Sequence, residues 1–227
     1  MEPRLARLLQ VVIEEYIETA EPVGSQHLVD RYDLEVSSAT VRNWCAELEA
    51  SGHLMQPHTS GGRIPTEAGF REYVSLFVTP KVASKRERET LERAWQSSEE
   101  ADRRFKALAK TLADLSGQAA IVGHGEADTF YTGLSQLFSQ PEFRNWQQVV
   151  SLTEVLDRLD EALNAMRQTD IREPRILLGQ ECPFGPACAI LVCAVPTGCI
   201  GILGPMRMEY TMVANLLHST YQLIATP

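Results

Sequence analysis

Arg42 and Asn43 follow Ala39 and Thr40 in "VSSATVRNWCAELEASGHLMQPHTSGGRIPTEAG", residues 36–69, and these are side chains suited to reading base edges. An arginine donates twice to guanine O6 and N7, an asparagine pairs with adenine N6 and N7, and an alanine or threonine methyl meets a thymine methyl. Ser37 and Ser38 can bond phosphate oxygens. Further on, "HTSGGR" supplies His58 as a weak contact. Thr59, Ser60, Gly61 and Gly62 are small enough for backbone to approach a duplex, and Arg63 can enter a minor groove or pair a phosphate. Each residue also has a bland reading: Ser37 as a helix cap, Arg42 as a partner of Glu47 or Glu49, Gly61-Gly62 as a hairpin turn. The ordered set favours double-stranded DNA.

No comparable constellation points to catalysis. Cys182 with His218, or His124 with Asp128, would pair a nucleophile with a base or acid, but sequence separation alone does not join them. "VGHGE", residues 122–126, has two glycines and no convincing helix after it, which disfavours a phosphate loop. Cys45, Cys182, Cys188, Cys193 and Cys199 match no zinc spacing and form no CxxC pair, so they read as buried small side chains. Neither metal nor cofactor is expected. Arg207 in "GPMRMEY" precedes a helical stretch and is placed to anchor an acid, either a ligand carboxylate or a structural partner.

The elements that must position these residues can be traced from periodicity. Leu5, Leu8, Leu9, Val12, Ile13, Tyr16 and Ile17 make one stripe of an α-helix, with Glu14, Glu15 and Glu18 on the opposite face. "EPVGS" breaks it and offers Ser25 as the cap of a short second helix through about Tyr32. Ser37 is placed to cap a third helix that ends near Gly52, its inner face made by Val41, Cys45 and Leu48 and its outer face by Ala39, Arg42, Asn43 and Ala46. "HLMQPH", "TSGG" and "RIPT" then read as strand, turn and strand, a wing; Thr66 caps a helix with the stripe Phe70, Tyr73, Val74 and Phe77. A capped reading helix followed by a wing is a DNA-docking geometry.

Residues 84–116 read as one long charged helix joining two domains. Beyond it come a strand at "QAAIVG", a helix carrying Val149 to Met166, a strand at "RILLG", a hairpin around "PTG" and a last helix from Tyr210 to Ile224. Strands and helices mix without strict alternation, so the fold class is α+β: an N-terminal winged helix-turn-helix at 1–80, a linker helix at 81–116 and a regulatory or dimerisation domain at 117–227.

Charge complicates the DNA reading. The chain carries −9 overall, and its first eighty residues hold twelve acidic side chains against six arginines and no lysine. A polyanion must therefore find local basic spots, and binding should be weak without a dimer that doubles the contacts. The longest apolar run, residues 187–196, is too short to span a bilayer, and the N-terminus lacks the pattern of a signal peptide, so a cytoplasmic protein is expected.

"EPVGS", "VSSATVRNWCAELEASGHLMQPHTSGGRIPTEAGFREYV", "FYTGLSQLFSQPEF" and "GPMRMEY" together resemble the heat-inducible transcription repressor family HrcA. The resemblance implies a dimeric repressor with a winged helix and a GAF-like C-terminal domain, binding an inverted-repeat operator upstream of chaperone genes, with the GroEL chaperonin promoting the active form. It implies helix contacts for Arg42 and Asn43 and a wing contact for Arg63. Members usually carry a sizeable inserted dimerising domain before "FYTGLSQL", where this chain has only "QAAIVGHGEADTFYTG"; Trp44-Cys45 replaces Glu-Met, and Met206 stands where Thr is usual. The alternative is a ligand-sensing or protein-interaction module whose winged helix no longer binds DNA.

Overall fold

The stripe beginning at Leu5 becomes the inner face of α1 (Pro3–Thr19), on which Leu8, Leu9, Val11, Val12 and Ile13 are fully buried. Pro3 begins the helix, where its missing N–H costs nothing, and Ala20 ends it in a left-handed conformation that returns its N–H to Tyr16 O. The computed structural model describes residues 1–57, 61–124, 128–144, 174–195 and 198–225. The chain divides into two units, Met1–Val78 and Thr79–Pro227.

In the first unit α1 packs against α3 (Ser38–Ala50) and α4 (Glu67–Phe77), with α2 (Ser25–Arg31) against α3. Ser25 is the first helical residue of α2 and Gly24 occupies the cap position, one residue earlier than the sequence indicates. Val41, Cys45 and Leu48 of α3 are buried as expected, and each apolar side chain removed from water contributes about 1.5–3 kcal/mol. β1 (Leu54–Met55) and β2 (Ile64–Pro65) pair antiparallel over only two residues. Thr66 holds that pair to α4: its hydroxyl accepts from Gly69 N–H at 3.1 Å and donates to Gly52 O at 2.6 Å. Gly69 allows the fit, since a Cβ there would lie 2.2 Å from His53 O.

The second unit is a five-stranded antiparallel sheet with helices on both faces. The strands are β3 (Ala119–His124), β4 (Asp128–Thr132), β5 (Arg175–Leu178), β6 (Cys188–Val195) and β7 (Gly198–Pro205), in the order β4-β3-β7-β6-β5. β6 and β7 pair from Cys188↔Pro205 to Val195↔Gly198, the hairpin that "PTG" announces. One alternating set, including Ile121, Ile190, Val192 and Leu203, forms a core with Leu137, Phe143 and Phe184. α6 (Ala101–Ser116) and α8 (Tyr210–Ala225) also pack on this sheet, and α7 (Leu134–Phe138) lies against β3 and β7. The central strands are thus buried on both sides, which is why they read as unbroken apolar runs.

Residues 84–116 are not one helix. α5 (Lys85–Trp95) and α6 are separate, and both belong to the second unit. Ser97 donates to Ala94 O at 2.7 Å and Ser98 accepts from Glu100 N–H at 3.1 Å, so the serine hydroxyls take backbone partners that a continuous helix would need. Across the turn Trp95 meets Phe105 edge-on at 5.3 Å, with the Arg104 guanidinium 4.6 Å over the indole ring. Backbone amides of Lys81 and Ala83 are held by Asn215 and Ser219 of α8. The segment is a packed part of the unit rather than a strut. The helix expected over 149–166 lies outside the described residues. No helix among the described residues is long and apolar enough to cross a membrane.

Candidate nucleic-acid interface

α3 begins as its sequence requires. Ser37 Oγ accepts from Thr40 N–H at 3.2 Å and lies 3.0 Å from Thr40 Oγ1, while the amides of Ser38 and Ala39 have no intrahelical acceptor and leave the helix end partly positive. Ser37, Ala39, Arg42, Asn43 and Ala46 are exposed, and Ser38 and Thr40 half-buried. Among the described residues the Arg42 side chain makes no hydrogen bond or ion pair, so its donors are open to a ligand. Neither Glu47 nor Glu49 takes it. Glu47 pairs with Arg4 at 3.1 Å, and Arg4 also lies 5.6 Å over the Trp44 ring.

The hairpin residues behave differently. Val23 and Arg63 exchange two backbone hydrogen bonds of 2.9 Å each, tying "EPVG" to the start of β2. Gly62 lies under that contact: a Cβ on it would sit 2.4 Å from Val23 O and 2.7 Å from Pro22 C. Its missing side chain therefore serves the protein's own backbone, a use that the reading of it as a duplex-approach residue omits. The Arg63 guanidinium is only 17% exposed, with Nε donating to Glu49 at 3.0 Å. Arg42, Arg63, Gly61, Gly62, Gln56, Ser25 and Gln26 all border one open cleft of about 570 Å³. His58, Thr59 and Ser60 lie outside the described residues.

Behind this face stands a buried carboxylate that the sequence places wrongly. Glu15, expected on the polar side of α1, is 2% exposed and accepts from His27 Nε2 at 2.7 Å, Arg31 at 2.9 Å and the Tyr32 hydroxyl at 3.1 Å. Burial alone would raise its pKa, but the hydrogen bonds from His27 and Tyr32 and the charges of His27 and Arg31 outweigh it and hold the carboxyl below its ordinary 4.5. Burial and the same carboxylate push Tyr32 up to about 12. Glu15 therefore fastens α2, the helix preceding α3, to α1. A signal for it exists in the spacing: Glu15 falls seven residues after Leu8 and four after Val11, on the edge of the apolar stripe.

In the second unit Arg207 is spent on the protein itself, pairing with Glu142 and donating to Gln140 at 2.9 Å, and so fixes the "SQPEF" turn. Of its two expected roles the structure gives it the structural one. All five cysteines are buried free thiols, and burial pushes Cys45 to about 11 and Cys182 and Cys193 to about 12. His218 meets Gln222 at 3.0 Å, while Cys182 sits in the sheet core. No group of three or more His, Cys, Asp or Glu among the described residues could hold a metal ion.

The layout defines a two-unit α+β protein, and a crystal structure of a hypothetical protein shares it, with a TM-score of 0.75 at 16% identity over 99% of this chain and 96% of that one. Residues 72–214 match the family model described as the HrcA protein C terminal domain. The chain belongs to the HrcA family, one of transcription repressors rather than enzymes. The heat-inducible transcription repressor HrcA of Mycolicibacterium gilvum (strain PYR-GCK) is 36% identical over 180 residues, 79% of this chain and 52% of that protein. The protein of the same name from Mycolicibacterium smegmatis (strain ATCC 700084 / mc(2)155) is 35% identical over 178 residues, 78% and 52% respectively. The chain thus spans about half the length of these relatives.

Proposed function

We propose that this chain is a sequence-specific, non-enzymatic transcriptional repressor in the cytoplasm, acting as a homodimer on an inverted-repeat operator in double-stranded DNA. The first unit is a winged helix-turn-helix that lays the exposed side of α3 in a major groove, with the hairpin ending at Arg63 as its wing. The single observation that carries this is the capped, exposed start of α3 with Arg42 unpaired among the described residues. Acidity fits the same picture: Arg4, Arg31, Arg63 and Arg71 are each paired with carboxylates, which removes much of the local repulsion along with the attraction. With four of the first unit's six arginines held by carboxylates, binding by one subunit is weak, so two subunits reading a two-fold site are needed. The second unit, a five-stranded antiparallel sheet with flanking helices, is GAF-like and serves regulation or dimerisation. The relatives' name, heat-inducible transcription repressor, supports heat-induced genes as targets; chaperone genes among them, and a GroEL-type chaperonin as a regulating partner, are what the family resemblance implies.

Selection of bound sequences from a pool of random duplexes tests the proposal. It should enrich an inverted repeat with half-sites about one or two helical turns apart. Arg42→Ala should weaken binding to that repeat by about 1–3 kcal/mol and relax one base position. A pool with no enriched repeat removes the proposal.

A further inference from the structure

Two arginines border the same cleft and differ in one respect: among the described residues Arg42 is unpaired, whereas Arg63 is held by Glu49. We propose that Glu49 restrains Arg63, keeping its charge out of contacts with arbitrary DNA and releasing it only to a phosphate brought up in register, so that Glu49 sets the discrimination between operator and non-operator duplex. The inference rests on the DNA-binding function proposed above.

Position and charge support it. Glu49 is in the last turn of α3, where the negative end of the helix disfavours a carboxylate, and an arginine from another element compensates it. The main chain of Arg63 is fixed by its two bonds to Val23, so release needs only side-chain rotation and not a loop movement. The pair is partly solvated, Arg63 at 17% and Glu49 at 35% exposure, which leaves a phosphate room to compete. Besides Glu49, the Arg63 guanidinium has Gly61 O at 3.5 Å, a neutral and distant acceptor. A duplex held loosely at many registers gains little by displacing a carboxylate it cannot replace with fixed geometry. One held by Arg42 and the start of α3 presents its phosphates at fixed places, where the exchange succeeds.

The test uses the full chain and a random-sequence duplex of about 30 bp, with affinity read by fluorescence anisotropy across a salt series. Glu49→Gln keeps a hydrogen-bond acceptor for Arg63 but removes the charge. It should bind this duplex more tightly than the parent, with the slope of log affinity against log salt steeper by about 0.9, the release accompanying one further phosphate contact. Its advantage should then shrink about 3.5-fold between 50 and 200 mM salt. The double variant Glu49→Gln/Arg63→Gln should lose the extra slope and match Arg63→Gln. Thermal unfolding checks that each variant is folded, and Glu49→Ala, which also lacks the charge, serves if the glutamine does not fold. A slope equal to the parent's overturns the inference, as does an equal gain in the double variant, since the effect would then be net charge alone. If the parent binds duplexes and Arg42→Ala weakens them while Glu49→Gln changes nothing, only this inference fails. If no duplex binds the parent at all, the DNA-binding function fails and takes this inference with it.

Discussion

Gly62→Ala is the smallest change that separates a glycine needed by the fold from one needed by a ligand. The added Cβ would lie 2.4 Å from Val23 O, 2.5 Å from Val23 C and 2.7 Å from Pro22 C. All three are backbone atoms in a loop with no flexible end to move aside, so hairpin and loop must part. Overpacking of this kind costs about 1–3 kcal/mol. Parting also strains the two 2.9 Å bonds between Val23 and Arg63, each worth about 0.5–1.5 kcal/mol net. The expected loss is about 2–6 kcal/mol, a large share of the roughly 4–12 kcal/mol that a unit of this size holds. Gly24→Ala is the control: it has a negative φ and nothing within 4 Å of its Cβ, so it should change stability by less than about 1 kcal/mol. Urea unfolding gives the stability, and hydrogen exchange at the Val23 and Arg63 amides locates the damage. Unchanged protection at both amides together with an unchanged midpoint in Gly62→Ala would refute the packing argument.

Two further outcomes are expected. Glu15 has a folded pKa below its unfolded value near 4.5, so the stability it contributes is present above that value and is lost as pH falls through the folded pKa; Glu15→Gln should lower stability at neutral pH and flatten this acid limb, measured by urea unfolding between pH 7 and pH 3. Arg207→Ala should leave Glu142 and Gln140 without their partner and cost about 1–3 kcal/mol in chemical denaturation, with faster exchange around residues 140–143.

The α+β class and the inward face of α3 were legible because both depend on local rules: a serine cap, a 100° step per residue, and alternation in strands. Ser37 caps where its type and position say it should, and Val41, Cys45 and Leu48 turn inward together. What the sequence hid depends on partners distant along the chain. Glu15 looks like one more acid on a charged face until His27, Arg31 and Tyr32 from another element converge on it. Gly62 looks like a turn residue until Pro22 and Val23, forty residues earlier in order of magnitude, come to rest against it. The break between α5 and α6 was missed, because Ser97 and Ser98 sit in the middle of a stretch that reads as one helix and two serines alone do not end a helix. Trp95 and Phe105 packing across the turn supply the reason.

The same distinction resolves how an acidic unit can face a polyanion. Counting charges treats six arginines and twelve acids as a field, and the field repels DNA. Geometry replaces the count with pairs: Glu47 with Arg4, Glu49 with Arg63, Glu15 and Glu18 with Arg31, Glu67 with Arg71. An ion pair is a short dipole whose influence falls off faster with distance than that of a lone charge, and screening by salt weakens the rest. At the start of α3 the positive charge is the guanidinium of Arg42, which has no partner among the described residues, together with the positive end of the helix, while acids outside these pairs, Glu35 among them, keep the wider field repulsive. Attraction there is local and short-ranged, which suits recognition of a particular site better than sliding along any duplex. An added free lysine on this face should therefore raise affinity for all sequences alike and erode selectivity.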